Sequence, residues 1–72
     1  MRALKFKIKV DELVLRDYLD YHREDLEYVI DLVRRNHLLW NMRNENMHIT
    51  GKTQNMYNFL YDLAYRYDIE LM

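Results

Sequence analysis

The chain has 72 residues, with no cysteine, no proline and a single glycine, and its formal net charge at pH 7 is −1. The missing cysteines exclude disulfides and thiolate metal sites, and the 50% hydrophobic content excludes an intrinsically disordered chain. No apolar run approaches the roughly 20 residues of a membrane-spanning helix, so we expect no membrane partner. We predict one domain spanning 1–72, in a reducing compartment such as the cytoplasm, whose small core gains stability from self-association.

Residues 4–10 alternate apolar side chains with three lysines, Lys5, Lys7 and Lys9. Successive side chains on a strand point to opposite faces, so this pattern predicts a strand with one apolar and one basic face. The apolar face would lie on the core, and the lysines would form the most concentrated positive surface of the protein. The structural alternative is a solvated face, on which lysines discourage aggregation between strands.

The segment that follows this strand predicts a helix running from Asp11 to Asn36. Asp11 stands at an N-cap position, and apolar or aromatic side chains then recur three and four residues apart. The opposite face is acidic and carries Asp17, Asp20, Glu24, Glu27 and Asp31. Such a face is ordinarily a solubilising surface, and its alternative role is to imitate a phosphate backbone or to contact a basic sheet.

Residues 38–42 and 47–50 flank a polar run and predict a β-hairpin. A loop with an even number of residues keeps the apolar side chains of both strands on one face of the sheet. That register would place four polar side chains together on the opposite face: Asn41, Arg43, His48 and Thr50.

Residues 54–67 predict a second helix, with Thr53 as its cap and only a narrow polar stripe. Its apolar arc is wider than one sheet and one neighbouring helix can cover. Tyr57, Tyr61 and Tyr65 lie on this arc and are therefore candidate interface residues. The alternation around Ile69 and Leu71 suits a short closing strand.

This element order, β-α-β-β-α-β, predicts a ferredoxin-like α+β fold with a four-stranded antiparallel sheet and both helices packed on one face. The first strand would lie at the centre of the sheet, between the third and fourth strands. The open face would then collect the candidate nucleic-acid or anion contacts, with Lys52 added from the turn before the second helix. These candidates are Lys5, Lys7, Lys9, Arg43, His48 and Lys52. The face lacks the aromatic residues on which RNA-binding sheets stack bases.

Catalytic and metal motifs are weak in this chain. His22 and Asp25 are three residues apart and form a candidate acid–base pair, but the sequence has neither serine nor cysteine to act as a nucleophile. The Gly51-Lys52-Thr53 segment resembles the end of a phosphate-binding loop, yet Asn46 stands where that motif needs its first glycine. The three histidines have no metal-ligand spacing. We therefore expect neither enzymatic activity nor a cofactor, a metal or a small-molecule substrate.

The sequence favours a small interaction or regulatory module that forms a homodimer through Tyr57, Tyr61 and Tyr65, or that binds a different protein through the same surface. Its brevity suits a regulator or inhibitor of the kind encoded by phages and mobile elements. The alternative function is nucleic-acid binding through the basic open face of the sheet.

Overall fold

The computed structural model describes residues 3–72 and contains five strands, two α-helices and one short 3-10 turn. The elements in chain order are β1 (Ala3–Lys9), β2 (Glu12–Leu15), the 3-10 turn (Tyr18–Asp20), α1 (Arg23–Arg35), β3 (Leu39–Arg43), β4 (Asn46–Thr50), α2 (Thr53–Ala64) and β5 (Asp68–Leu71). The strands form one open sheet in the order β3-β4-β2-β1-β5, in which only the β1–β5 pair is parallel. The α+β class is confirmed, but the predicted four-stranded antiparallel sheet is wrong in detail because the sheet has five strands and is mixed.

The largest departure from the sequence prediction lies between residues 11 and 22, which do not form a helix. They contain β2, which returns antiparallel to β1 after a two-residue turn at Val10 and Asp11, so that Phe6 pairs with Leu15. Leu13 and Leu15 have the two-residue spacing of a strand, and both are buried, whereas the predicted helix had only Leu15 of the two on its apolar face. Leu19, which a helix over residues 11–36 would align with Leu15 on its apolar face, has 65% of its surface exposed.

Helix α1 begins at Arg23, with His22 as its N-cap residue, and ends in a Schellman motif. The Leu38 amide donates to the Val33 carbonyl at 2.9 Å, and the His37 amide donates to the Arg34 carbonyl at 3.1 Å. His37 takes the left-handed conformation at φ 59° that this motif requires. The predicted stop at Asn36 is therefore right to within a residue, although the left-handed position belongs to His37.

The predicted hairpin at residues 38–50 is confirmed, with an even loop. Asn44 and Glu45 form a two-residue turn with φ of 48° and 66°, the left-handed values of a type I′ turn. Met42 pairs with Met47, and the buried Met47 and Ile49 face the core as expected.

Helix α2 starts one residue earlier and ends three residues earlier than predicted. Its N-cap residue is Lys52 rather than Thr53, which is the first residue of the helix. Gly51, with φ of 156°, leads into this start, and a Cβ at this position would overlap the Leu38 side chain. The turn therefore requires glycine for both its backbone conformation and its close packing.

The core lies between the sheet and the two helices. Phe6 on β1 and Phe59 on α2 meet edge to face, with ring centroids 6.1 Å apart, and both are fully buried. The buried side chains of β1, β2 and β4 share this face of the sheet with those of α1 and α2. Both helices therefore cover one face, as predicted, and the opposite face of the sheet is open.

Candidate interaction surface

The open face of the sheet holds most of the basic residues that the sequence placed there. The pairing register puts Lys7, Val14, His48 and Asn41 in one row across four strands. The same alternation brings Lys5, Lys9, Arg43 and Thr50 to this face, whereas Lys52 is the N-cap residue of α2 and lies outside it. The strands in residues 3–72 place no phenylalanine, tyrosine or tryptophan on this face, so its one aromatic ring among the strand residues is the imidazole of His48.

Carboxylates interrupt this basic surface, which the sequence prediction did not foresee. Glu12 lies between Lys9, whose Nζ is 3.3 Å from Glu12 Oε1, and His48, whose Nδ1 is 3.4 Å from Glu12 Oε2. Burial raises the pKa of the Glu12 carboxyl, but the contacts with Lys9 and His48 outweigh it and hold this pKa below its ordinary value. Asp68 and Glu70 of β5 share the same face.

Glu12 was missed because the sequence assigned it to the first turn of a helix. Asp68 and Glu70 were assigned to a closing strand beside the first strand, but the predicted open face counted only the polar side chains of the first strand and of the hairpin. In the structure β5 lies directly beside β1, and Glu70 pairs in register with Lys5. The open face is therefore a mixed-charge surface rather than a uniformly basic one.

The predicted interface tyrosines lie on the exposed side of α2, with Tyr65 as the C-cap residue of the helix. Tyr57, Tyr61 and Tyr65 are 53%, 72% and 86% exposed, and their spacing of four residues aligns them along one face of the helix. Exposed aromatic side chains in such a row are typical of protein interfaces.

A shallow apolar groove of about 220 Å³ runs beside this row, between α2 and β5. Its lining residues are Tyr57, Leu60, Tyr61, Ala64, Ile69 and Leu71. We call these residues, together with Tyr65, the α2–β5 surface. The sequence predicted the tyrosines but not the groove, because residue spacing along the chain does not show how the side chains of α2 and β5 pack against each other.

Within residues 3–72, no strand lies beside the outer edge of β5, so backbone groups are exposed along it. The Met72 amide donates to the Phe6 carbonyl at 2.8 Å, so the backbone of Met72, and by alternation that of Glu70, faces β1. The N–H and C=O groups of Ile69 and Leu71 consequently point away from β1. The side chains of these two residues line the groove.

The candidate catalytic pair is not assembled as expected. His22 is an exposed N-cap residue, and the hollow beside it is lined by Arg23 and Glu24 rather than by Asp25. The Asp25 carboxylate instead accepts a 2.7 Å hydrogen bond from the Tyr67 hydroxyl. Among residues 3–72, no three histidine, cysteine, aspartate or glutamate side chains come together as a set that could hold a metal ion.

The acidic face that the sequence predicts for the first helix has fewer residues in the structure. Asp17 and Asp20 lie outside α1, at the 3-10 turn. Glu24, Glu27 and Asp31 remain on α1, where Arg23 pairs with Glu27 and Arg35 pairs with Asp31. This shorter, partly neutralised face is a poor imitation of a phosphate backbone.

Neither helix within residues 3–72 combines the length and the apolar composition that crossing a bilayer requires. Comparisons with family models, with curated protein sequences and with solved structures found no match to this chain.

Proposed function

We propose that this protein is a small, non-enzymatic regulatory module that binds another protein through the α2–β5 surface. The observation that carries the proposal is the row formed by Tyr57, Tyr61 and Tyr65 beside the apolar groove. Tyrosine supplies a large contact area at a low cost in conformational entropy, which suits a binding surface on a small domain. The absence of cysteine fits action in a reducing compartment such as the cytoplasm.

A second copy of this chain is the partner expected from the sequence. The tyrosine row carries no charge, so two such helix faces can meet without like-charge repulsion. The exposed parts of the three tyrosines correspond to roughly 300–500 Å² of side-chain surface, a large share of the approximately 800 Å² that each partner of a standard interface buries.

The homodimer is tested by light scattering at micromolar concentration. We expect twice the chain mass for the wild type and a monomer for Tyr61→Glu, because the carboxylate would be buried at the centre of the interface. Asn41→Glu is the matched control, since it adds the same charge on the open face of the sheet. A monomeric wild type would contradict the homodimer hypothesis, and a different protein would then be the expected partner of the α2–β5 surface.

Nucleic-acid binding remains the second candidate, because Lys5, Lys7 and Arg43 do share the open face. Backbone contact by these side chains predicts binding to a labelled oligonucleotide that weakens as salt rises and is lost in Lys5→Glu with Lys7→Glu. The carboxylates of Glu12, Asp68 and Glu70 lower the expected affinity. Absence of binding at low salt would eliminate this candidate.

A further inference from the structure

We propose that the edge of β5 binds an extended segment of a partner protein whose residues alternate between basic and apolar, so that the segment adds a sixth strand to the sheet. This inference rests on the proposed function, because it names the partner of the same α2–β5 surface. Binding by strand addition uses backbone hydrogen bonds for affinity and alternate side chains for specificity.

The backbone of β5 can pair with such a segment. The N–H and C=O groups of Ile69 and Leu71 point away from β1, and an added strand would take up these hydrogen bonds. Every second side chain of the added strand would then point to the helix side of the sheet. There it would enter the groove against Tyr57 and Tyr61, which requires an apolar side chain.

The charges of β5 determine which side chains the added strand should carry on the open face of the sheet. Asp68 and Glu70 are exposed on the open face, and within residues 3–72 neither has an ion-pair partner within 4.0 Å. Side chains of the added strand on this face would lie next to the two carboxylates. Lysine or arginine would be favoured there and an acid disfavoured, because opposite charges on neighbouring strands attract.

The protein already contains one strand of this pattern on the inner edge of β5. β1 pairs with β5 so that Lys5 lies opposite Glu70 and Leu4 lies opposite Ile69. Because β5 presents the same two faces to its outer edge, the pattern of residues 4–10 is a model for the partner segment.

A second copy of β5 fits this edge poorly. A two-fold axis would pair the two β5 strands antiparallel, and registers that keep the groove side chains on one face place Asp68 opposite Glu70, or Glu70 opposite itself. Like charges directly opposite each other destabilise a sheet. The acids of β5 therefore disfavour self-pairing at the edge and favour a basic partner.

The test uses a capped peptide with the sequence of residues 4–10 as the probe. We expect it to shift the NMR amide signals of Ile69 and Leu71, and we expect replacement of its three lysines by glutamate to weaken binding about tenfold or more. A peptide of the same composition without the alternation is the second control. Shifts centred on Glu70 and Met72 would indicate displacement of β1 and would overturn the proposal.

Charge reversal on the protein sharpens the test. Asp68 lies opposite Ala3, so Asp68→Lys places no like charge directly opposite it on β1 and should leave the fold intact, which circular dichroism checks. This variant should bind the lysine peptide more weakly and the glutamate peptide more tightly than the wild type does. Equal affinities of the two peptides for the wild type would refute the charge assignment.

Light scattering separates this proposal from the proposed function. A Tyr61-dependent dimer with no peptide binding would overturn the strand-addition proposal while supporting the α2–β5 surface as an interface. A peptide that binds wild type and Tyr61→Glu equally well would count against both, because neither the groove nor the tyrosine row would then contribute.

Discussion

The Tyr67 hydroxyl donates a 2.7 Å hydrogen bond to Asp25 Oδ1 and thereby joins the segment after α2 to the first turn of α1. The Tyr67 ring lies 6.0 Å from that of Tyr28, and the Arg66 guanidinium stacks 4.5 Å above the Tyr28 ring. These contacts explain why Asp25, which the sequence suggested as a partner for His22, is directed toward the helix interface. They also make Tyr67 a structural residue, unlike the three exposed tyrosines of α2.

Tyr67→Phe should lower the free energy of unfolding by about 1–2 kcal/mol, because it deletes a hydrogen bond to a carboxylate at a site where the tyrosine is only 6% exposed. Chemical denaturation measures the change. Tyr65→Phe is the matched control, since Tyr65 is 86% exposed and should tolerate the loss of its hydroxyl. Equal losses in the two variants would contradict this account.

The raised pKa of the Tyr67 hydroxyl predicts that the protein loses stability in alkaline solution. Burial and the hydrogen bond to Asp25 raise the pKa of Tyr67 to about 12 from its ordinary value of 10.0. The folded state therefore holds this proton more tightly than the unfolded state does. The contribution of the hydroxyl to the free energy of unfolding is fully present below pH 10 and is lost as the pH rises toward about 12. Wild type should lose stability relative to Tyr67→Phe across this window. The phenolate absorbance difference between the two proteins should show one late titration.

The lowered pKa of Glu12 predicts that the protein loses stability at acidic pH. The pKa of Glu12 is held below its ordinary value. Its contribution to the free energy of unfolding is therefore fully present at pH values above the ordinary pKa and is lost as the pH falls through the lowered pKa. Glu12→Gln should cost about 0.5–1 kcal/mol at neutral pH, and this difference should vanish in acid. Glu70→Gln is the control, and a similar pH-dependent cost in that variant would argue against a specific role for Glu12.

Glycine should stabilise the protein at two left-handed positions. His37 and Glu45 have φ of 59° and 66°, values at which a Cβ is strained. We expect His37→Gly and Glu45→Gly each to raise the free energy of unfolding by about 0.5–1 kcal/mol, the relief of strain being partly offset by a more flexible unfolded chain. Alanine at either position keeps the Cβ and should give no gain. Thermal denaturation compares the four variants.

Where the sequence carried a local signal, the prediction was close to the structure. The β3–β4 hairpin was predicted with its register, because the apolar residues at 40, 42, 47 and 49 share a face only when the loop is even. The end of α1 was predicted to within a residue from the basic last turn at Arg34 and Arg35, although His37 rather than Asn36 takes the left-handed conformation.

The β1–β2 hairpin could not be predicted in the same way. Its turn residues, Val10 and Asp11, lack the positive φ that marks the β3–β4 turn, and no glycine or asparagine stands between the strands. Leu15 then fits a strand as well as the apolar face of a helix, while Asp11 resembles a helix cap. The groove of the candidate site was not predicted either, because it depends on how the side chains of α2 and β5 pack against each other, which local patterns do not specify.

The parallel pairing of β1 with β5 has a consequence for how the chain folds. It joins residues 3–6 to residues 68–71 and closes a loop of roughly 60 residues, whereas β1–β2 and β3–β4 are local hairpins that close at little entropic cost. We therefore expect β5 to dock last, onto a sheet that is already in place. The edge that we propose as the binding site would then exist only in chains that have completed folding, so a partner strand would distinguish finished molecules from partly folded ones.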